Sequence, residues 1–232
     1  MTMFGSQWLA NPDSGDIPVT TNLFVHFRAD LGVTKDGSDL VSEWADQSGN
    51  GHDLTSSGTK RPTLLSANLN GKDVLDFDGS DDNLIVSSLS LAQPVHVFIV
   101  AKVNTWTSND VILGFNPSTD MESFVQNGSS PQLKQRAGED FINAISPTLG
   151  TAYLMQSLWN GSSSSQALNN DSAVTGGDGG TLALTTISVG AKTASTQYAD
   201  CTIAELAIYS SVQTGDDLAS LKSYFNTRYS LY

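Results

Sequence analysis

The chain holds one cysteine, Cys201, in 232 residues, and 11 lysines and arginines against 24 aspartates and glutamates. A lone cysteine has no partner for an intrachain disulfide, so packing and strand pairing must supply the stability, as suits synthesis in a reducing cytosol. The deficit of basic residues gives a formal net charge of −13. Such a surface repels phosphate backbones and anionic lipids, which excludes nucleic acid as a partner. No apolar run approaches the roughly 18–20 residues of a membrane span. The opening, MTMFGSQWLANPDSGDIPVT, also lacks the basic start and apolar middle of a secretory signal. A protein made in the cytoplasm, with no membrane insertion, is the expectation. The sequons at Asn127, Asn160 and Asn170 then read as chance in an Asn- and Ser-rich chain.

Catalytic signatures are also missing. There is no G-x-S-x-G elbow, and the three histidines sit in unrelated blocks. No CxxC or histidine pair offers a zinc site, and the glycines at 176–180 lack the lysine and helix of a phosphate cradle. Cys201 lies in an apolar strand pattern and reads as a buried small hydrophobe.

What is present is a succession of short apolar segments. VHVFIVAKV at 95–103 alternates Val95, Val97, Ile99, Ala101 and Val103 with His96, Phe98 and Lys102, the period of a strand. Further strands are expected from Leu23 (LFVHFRAD) and at 83–89, 110–115, 151–159, 182–189 and 201–209. Turn clusters such as SGNGHD, FDGSDDN and TGGDGGT separate them. Many short strands with regular turns predict a two-sheet sandwich. At the end of the chain, Leu218, Leu221, Phe225 and Tyr229 fall at helical spacing. Thr214 is placed to cap that helix, Asp216 and Asp217 stand in its first turn, and Lys222 and Arg228 lie toward its far end. Residues 1–22 form an N-terminal arm, where Phe4, Trp8 and Leu9 have no period that buries them alone and so need a host surface.

Three blocks in order, FRADLGV … WADQSGNGHDL, RPTLLSANLNGKDVLDFDGSDDNLIV and ISVGAKTASTQYADCTIAELAIYSSVQTGDDLASLKSYF, resemble the laminin-G-like branch of the concanavalin A-like lectin and glucanase superfamily. The resemblance covers 23–232. It implies an all-β, antiparallel two-sheet jelly-roll sandwich with one short C-terminal helix, one sheet concave and loops along its rim. His26 and His96 stand where that family more usually has an aromatic and a hydroxyl residue. The superfold carries lectins, glycosidases, adhesion modules and coat components alike, so function must be sought in the sites.

Two sites invite weighing. VLDFDGSDDNLIV packs four aspartates into seven residues; Leu75 and Phe77 face one way, Val74, Asp76 and Asp78 the other, and a turn follows. Asp78, Asp81 and Asp82 read either as an acidic turn whose side chains cap backbone amides or as ligands of calcium, a hard cation that takes six to eight oxygens. Calcium is the one cofactor the sequence brings into question. On WADQSGNGHDL, Asp46, Asn50 and His52 form either a polar patch for a sugar or ion, with Asp46 its foremost ligand, or a plain turn anchored by Trp44. Trp106, Trp159, Tyr153 and Tyr198 read either as sugar-stacking aromatics or as core packing; Trp106 sits in the polar loop NTWTSND, where a buried role is harder to arrange.

Glycosidase chemistry needs two carboxylates roughly 5–10 Å apart. The glucanase branch carries them as E-x-D-x-x-E, and none of the four glutamates here, Glu43, Glu122, Glu139 and Glu205, has that spacing. No catalytic residue is expected; Glu205 reads as the partner of a nearby backbone group or cation. Two functional readings remain. One is a structural or adhesive virion protein, a capsid decoration or tail-associated subunit, joined through its arm to other virion proteins or to copies of itself and contacting host glycans. The opening MTMFGSQWLANP resembles the start of some phage structural proteins. The other is a free lectin-like, calcium-assisted carbohydrate-binding module.

Overall fold

The computed structural model describes residues 15–116, 120–129, 131–138, 140–193 and 196–232. Phe4, Trp8 and Leu9 lie outside them.

The alternation at 95–103 becomes the strand Val95–Val103, at the centre of an eight-stranded sheet. Ala152–Trp159 flanks it on one side and Asp200–Tyr209 on the other, both antiparallel. Ser164–Leu168 and Val174–Gly177 extend the first side. Lys72–Asp78, Thr63–Leu69 and Leu23–Arg28 complete the second. A second sheet of eleven strands runs Asp140–Ile145, Leu133–Ala137, Met121–Gln126, Val111–Asn116, Leu184–Val189, Leu84–Leu91, Leu54–Thr55, Val41–Trp44 and Val33–Lys35. The short pair Ala191–Thr193 and Thr196–Tyr198 is attached beside Val111–Asn116. Pairing between these strands is antiparallel, except where Tyr198 meets Val111.

The sheets stack face to face over one core. Val95, Val97, Ile99, Val103, Leu75, Phe77, Cys201 and Ile203 project from the first, and Leu113, Phe115, Met121, Leu133, Ile187 and Trp44 from the second. Each large apolar side chain so buried is worth about 1.5–3 kcal/mol. Full burial also pushes the Cys201 thiol up, out of reach of ordinary titration, with the neighbouring carboxylates adding to the effect.

The other half of the alternation is covered too. Phe98, Val100, Leu154, Ala207 and Tyr209 point away from the main core and meet the helix Gly215–Tyr229 through Leu221, Tyr224, Phe225 and Tyr229. The helix has the expected acidic first turn. Thr214 occupies the N-cap position, but its hydroxyl makes no capping hydrogen bond, and only its backbone carbonyl serves, accepting from Leu218 N at 3.3 Å. Residues 15–22, read from sequence as part of the arm, lie on this same surface. Ile17 and Val19 are buried there, and Tyr209 Oη donates to the Val19 carbonyl at 2.8 Å.

The strands at 121–126, 133–137, 140–145 and 164–168 are ones the alternation does not predict. Their inward side chains include Ser123, Gln135 and, across the gap, Ser157. Ser123 Oγ and Ser157 Oγ are 2.8 Å apart, Gln135 Nε2 donates to Ser157 Oγ at 2.8 Å, and Trp159 Nε1 donates to Ser123 Oγ at 2.9 Å. A satisfied polar network takes the place of apolar residues there.

Candidate functional site

The aspartate-rich turn joins the two sheets at one end of the sandwich, after Asp78 and before Leu84. Gly79 has φ 73° and lies so close to Asp200 that a Cβ would come within 2.9 Å of the Asp200 Cβ. The carboxylates organise this turn. Asp78 Oδ1 accepts from Ser80 N at 2.8 Å, Asp82 Oδ2 accepts from Asp78 N at 3.0 Å, and Asp81 Oδ2 accepts from Thr59 Oγ1 at 2.5 Å. Asp78, Asp81 and Asp82 can each bring one oxygen within 4.8 Å of the others, a spacing that also suits a hard cation. Burial, with the negative charges of Asp78, Asp81 and Asp76, pushes Asp82 up to about 6.

The loop after Trp44 is organised in the same way. The Asp46 carboxylate accepts from His26 N at 3.0 Å, Ser48 N at 2.9 Å, Ser48 Oγ at 2.8 Å and His52 N at 3.2 Å. Asn50 Nδ2 donates to the Leu23 and Phe24 carbonyls, each at 3.0 Å. The His52 ring packs 4.7 Å from Phe24. These three residues tie the loop to the first strand, the Asp46 and Asn50 side chains through hydrogen bonds to the protein's own chain and His52 through its ring contact with Phe24. Trp44 is wholly buried, its Nε1 donating to the Arg28 carbonyl at 2.8 Å.

Trp106 stands between the sheets' ends, on the connection from Val95–Val103 to Val111–Asn116. Its ring is half-buried against the core, and Nε1 donates to the Gly128 carbonyl at 2.9 Å. The indole is thereby held rigid with part of its surface open. Trp159 is fully buried, and Tyr153 packs against the core with its hydroxyl accepting from Thr148 N at 3.3 Å.

A feature without an apolar signature in the sequence lies on the outer face of the eleven-stranded sheet. One row of paired residues crosses it: Arg136, Glu122, Gly114, Ser188, Ile85, Thr55, Glu43 and Thr34. Glu122 is 1% exposed; Lys192 Nζ stands 3.5 Å from it and Arg136 Nη1 3.8 Å, while Lys192 Nζ also reaches Asp120 at 2.7 Å. Burial pushes Glu122 up, and Lys192 and Arg136 pull it back. Gly114 makes the cover over Glu122 fit, because a Cβ there would lie 2.0 Å from the Lys192 carbonyl oxygen.

Glu205, another buried carboxylate, is 0% exposed on the helix side of the eight-stranded sheet. It accepts from Tyr224 Oη at 2.9 Å and Tyr229 Oη at 2.7 Å, and His26 Nε2 lies 2.7 Å away. Arg228 Nε, 3.4 Å from Glu205, continues through its Nη2 to Asp30. Burial and the charge of Glu205 push both tyrosine hydroxyls up, so they remain donors. The carboxylate fastens the helix to the sheet.

No protein-family model and no curated protein matches this chain. Solved structures do resemble it. Domain 4 of AbnA, an extracellular arabinanase from Geobacillus stearothermophilus solved in complex with arabinotriose, aligns with a TM-score of 0.66 at 15% identity, over 88% of this chain and 98% of that one. The receptor-binding domain of botulinum neurotoxin C/D mosaic serotype gives 0.61 at 9% identity, over 90% of this chain and 52% of that one. Trypanosoma rangeli sialidase in complex with sialic acid gives 0.59 at 12% identity, over 91% of this chain. The chain spans about a third of the sialidase, 34% of its length. At these identities the likeness is one of fold, a two-sheet β-sandwich. No helix among the described residues is long and apolar enough to cross a membrane.

Proposed function

We propose that this protein is a non-catalytic β-sandwich module that contacts carbohydrate, with the open face of Trp106 as its stacking platform. The observation that carries the reading is the whole-domain likeness to the arabinanase module solved with arabinotriose, which is covered over 98% of its length. Trp106 supplies a surface suited to stacking on a sugar. Its indole is held by the Nε1 bond and backed by the core, and the part of it that stays exposed is offered to the C–H side of a pyranose or furanose. The carboxylates favour holding over bond cleavage. Glu205 is engaged by two tyrosines and a histidine, and Asp120 and Glu122 are bridged by Lys192 and Arg136.

The setting we propose is a phage particle, in which the module is an adhesive or decorating subunit and residues 1–14, with Phe4, Trp8 and Leu9, join it to neighbours. Gly15–Asn22 belongs with the body in this scheme, since Ile17 and Val19 are buried against it.

A glycan array probed with the full chain tests the carbohydrate contact, with arabinotriose as one titrant and W106A as the control. Binding that W106A weakens about tenfold, with no sugar released, is expected; binding indifferent to W106A removes Trp106 from the site, and product formation ends the non-catalytic reading. Light scattering tests the particle setting. The full chain should form a defined oligomer that becomes a folded monomer when residues 1–14 are removed, and a full-length monomer that binds glycans would leave the module but not the particle subunit.

A further inference from the structure

The outer face of the eight-stranded sheet carries a cavity of about 420 Å³, walled by His96, Gln156, Ser165, Asp171, Leu218 and Lys222. It lies between the first turns of the C-terminal helix and the strands Val95–Val103, Ala152–Trp159 and Ser164–Leu168, far in the fold from the loop that carries Trp106. Its volume falls within the range of roughly 300–1,000 Å³ typical of small-molecule sites.

His96 is 6% exposed and packs 4.4 Å from Phe98. Its Nδ1 accepts from Gln213 N at 3.1 Å. That bond fixes the tautomer, because the nitrogen that accepts cannot carry the proton, and Nε2 becomes an N–H donor. Burial, helped by the charge of Lys222, holds the ring down at about 3, so it is neutral at physiological pH. Among the described residues nothing accepts from Nε2, and that nitrogen is not shut off from solvent, so on the cavity wall it stands as an open donor.

The remaining groups complement this donor. Lys222 makes no ion pair with a described residue, although aspartates and glutamates outnumber basic residues 24 to 11. Gln156, 5% exposed, has its Nε2 fixed on the Asn169 carbonyl at 2.7 Å, which leaves its Oε1 as an acceptor. Ser165 offers a hydroxyl, Leu218 an apolar patch, and Asp171 an exposed acceptor on the rim. Two donors, one of them cationic, beside fixed acceptors and an apolar wall are the complement of an anionic group on a hydroxyl-bearing ring.

We propose that this cavity is a second binding site, selective for a carboxylate-bearing sugar residue, whose carboxylate is held by Lys222 and His96 Nε2–H and whose hydroxyls donate to Gln156 and Asp171. The proposal rests on the carbohydrate reading for the class of ligand, and not on Trp106.

The test is an NMR titration of the full chain with glucuronic acid, glucose and acetate, following the His96 ring signals and the backbone amides of Gln213 and Leu218. Glucuronate should move these signals at millimolar concentration, with glucose and acetate at least about tenfold weaker, and K222M should weaken glucuronate by about tenfold, the loss of roughly one charge-assisted bond. Lys222 is half-buried on the helix surface, so K222M keeps the fold, which its unaltered spectrum outside the cavity would confirm. If glucuronate leaves the His96 signals still, or K222M binds it equally well, the site is overturned. Equal binding of acetate overturns its selectivity for sugar. W106A separates the two readings, since it should abolish any arabinotriose response at Trp106 and leave the glucuronate shifts intact.

Discussion

Tyr229 donates its hydroxyl to Glu205 Oε2 at 2.7 Å across the seam between the C-terminal helix and the eight-stranded sheet. Tyr224, from one turn earlier in the helix, donates to the other oxygen of the same carboxylate. A single buried carboxylate thus collects two helix residues, His26 of the first strand and Arg228.

Removing that carboxylate strands its partners without solvent. E205A should lose about 3–5 kcal/mol, the cost of breaking a buried ionic network by deleting one member. E205Q, which keeps the shape and one acceptor, should lose less. Urea unfolding at neutral pH measures both, and an E205A midpoint close to the parent's would show that the seam holds by apolar packing alone.

Gly114 tests the cover over Glu122. A Cβ at this position would meet the Lys192 carbonyl at 2.0 Å, backbone that cannot rotate away. G114A should therefore cost about 1–3 kcal/mol, as overpacking does. Hydrogen exchange should quicken at Ala191, Lys192 and Tyr198 while the Val95–Val103 strand stays protected; uniform protection would mean that the sheet absorbs the extra carbon elsewhere.

Asp82 and Asp110 are both pushed up to about 6, chiefly by burial. An aspartate unfolded titrates near 3.9, so each binds its proton more tightly in the folded state, and stability declines as pH rises from about 4 to about 6. D82N removes its share of that loss. The Tm of D82N minus that of the parent should be near zero at pH 4 and should grow to a plateau above about pH 7. A difference that shrinks with pH would mean that Asp82 favours its charged form in the folded state. Excess chelator should leave the parent Tm unchanged, because the turn's carboxylates already hold internal donors; a fall would assign Asp78, Asp81 and Asp82 to a cation.

Trp159 and Trp106 should separate cleanly. W159A empties a fully buried site and should cost about 3–5 kcal/mol. W106A, at a half-exposed ring, should cost markedly less while removing the part of the emission spectrum that a bound sugar changes. Comparable losses from both would place Trp106 in the core.

The sequence by itself determined the sandwich and its closing helix. Period-two alternation at 95–103 and helical spacing at 218–229 are local properties, legible because one apolar face must be buried whatever it is buried against. It also located the turns at 48–53 and 79–83, where short polar side chains bond to backbone a few residues away. The tertiary structure alone decided what those residues do. Asp46 and Asn50 face their own chain because His26 and the Leu23–Phe24 backbone lie across from them, and that pairing reaches across some twenty residues of sequence or more. The strands at 121–126 and 133–137 escaped the pattern because Ser123 and Gln135 are buried in partnership with Ser157, whose distance along the chain hides their satisfaction. The cavity beside His96 is likewise assembled from three strands and a helix, since a hydrogen bond or a missing partner depends on which segments meet, and a linear pattern of polarity does not carry that.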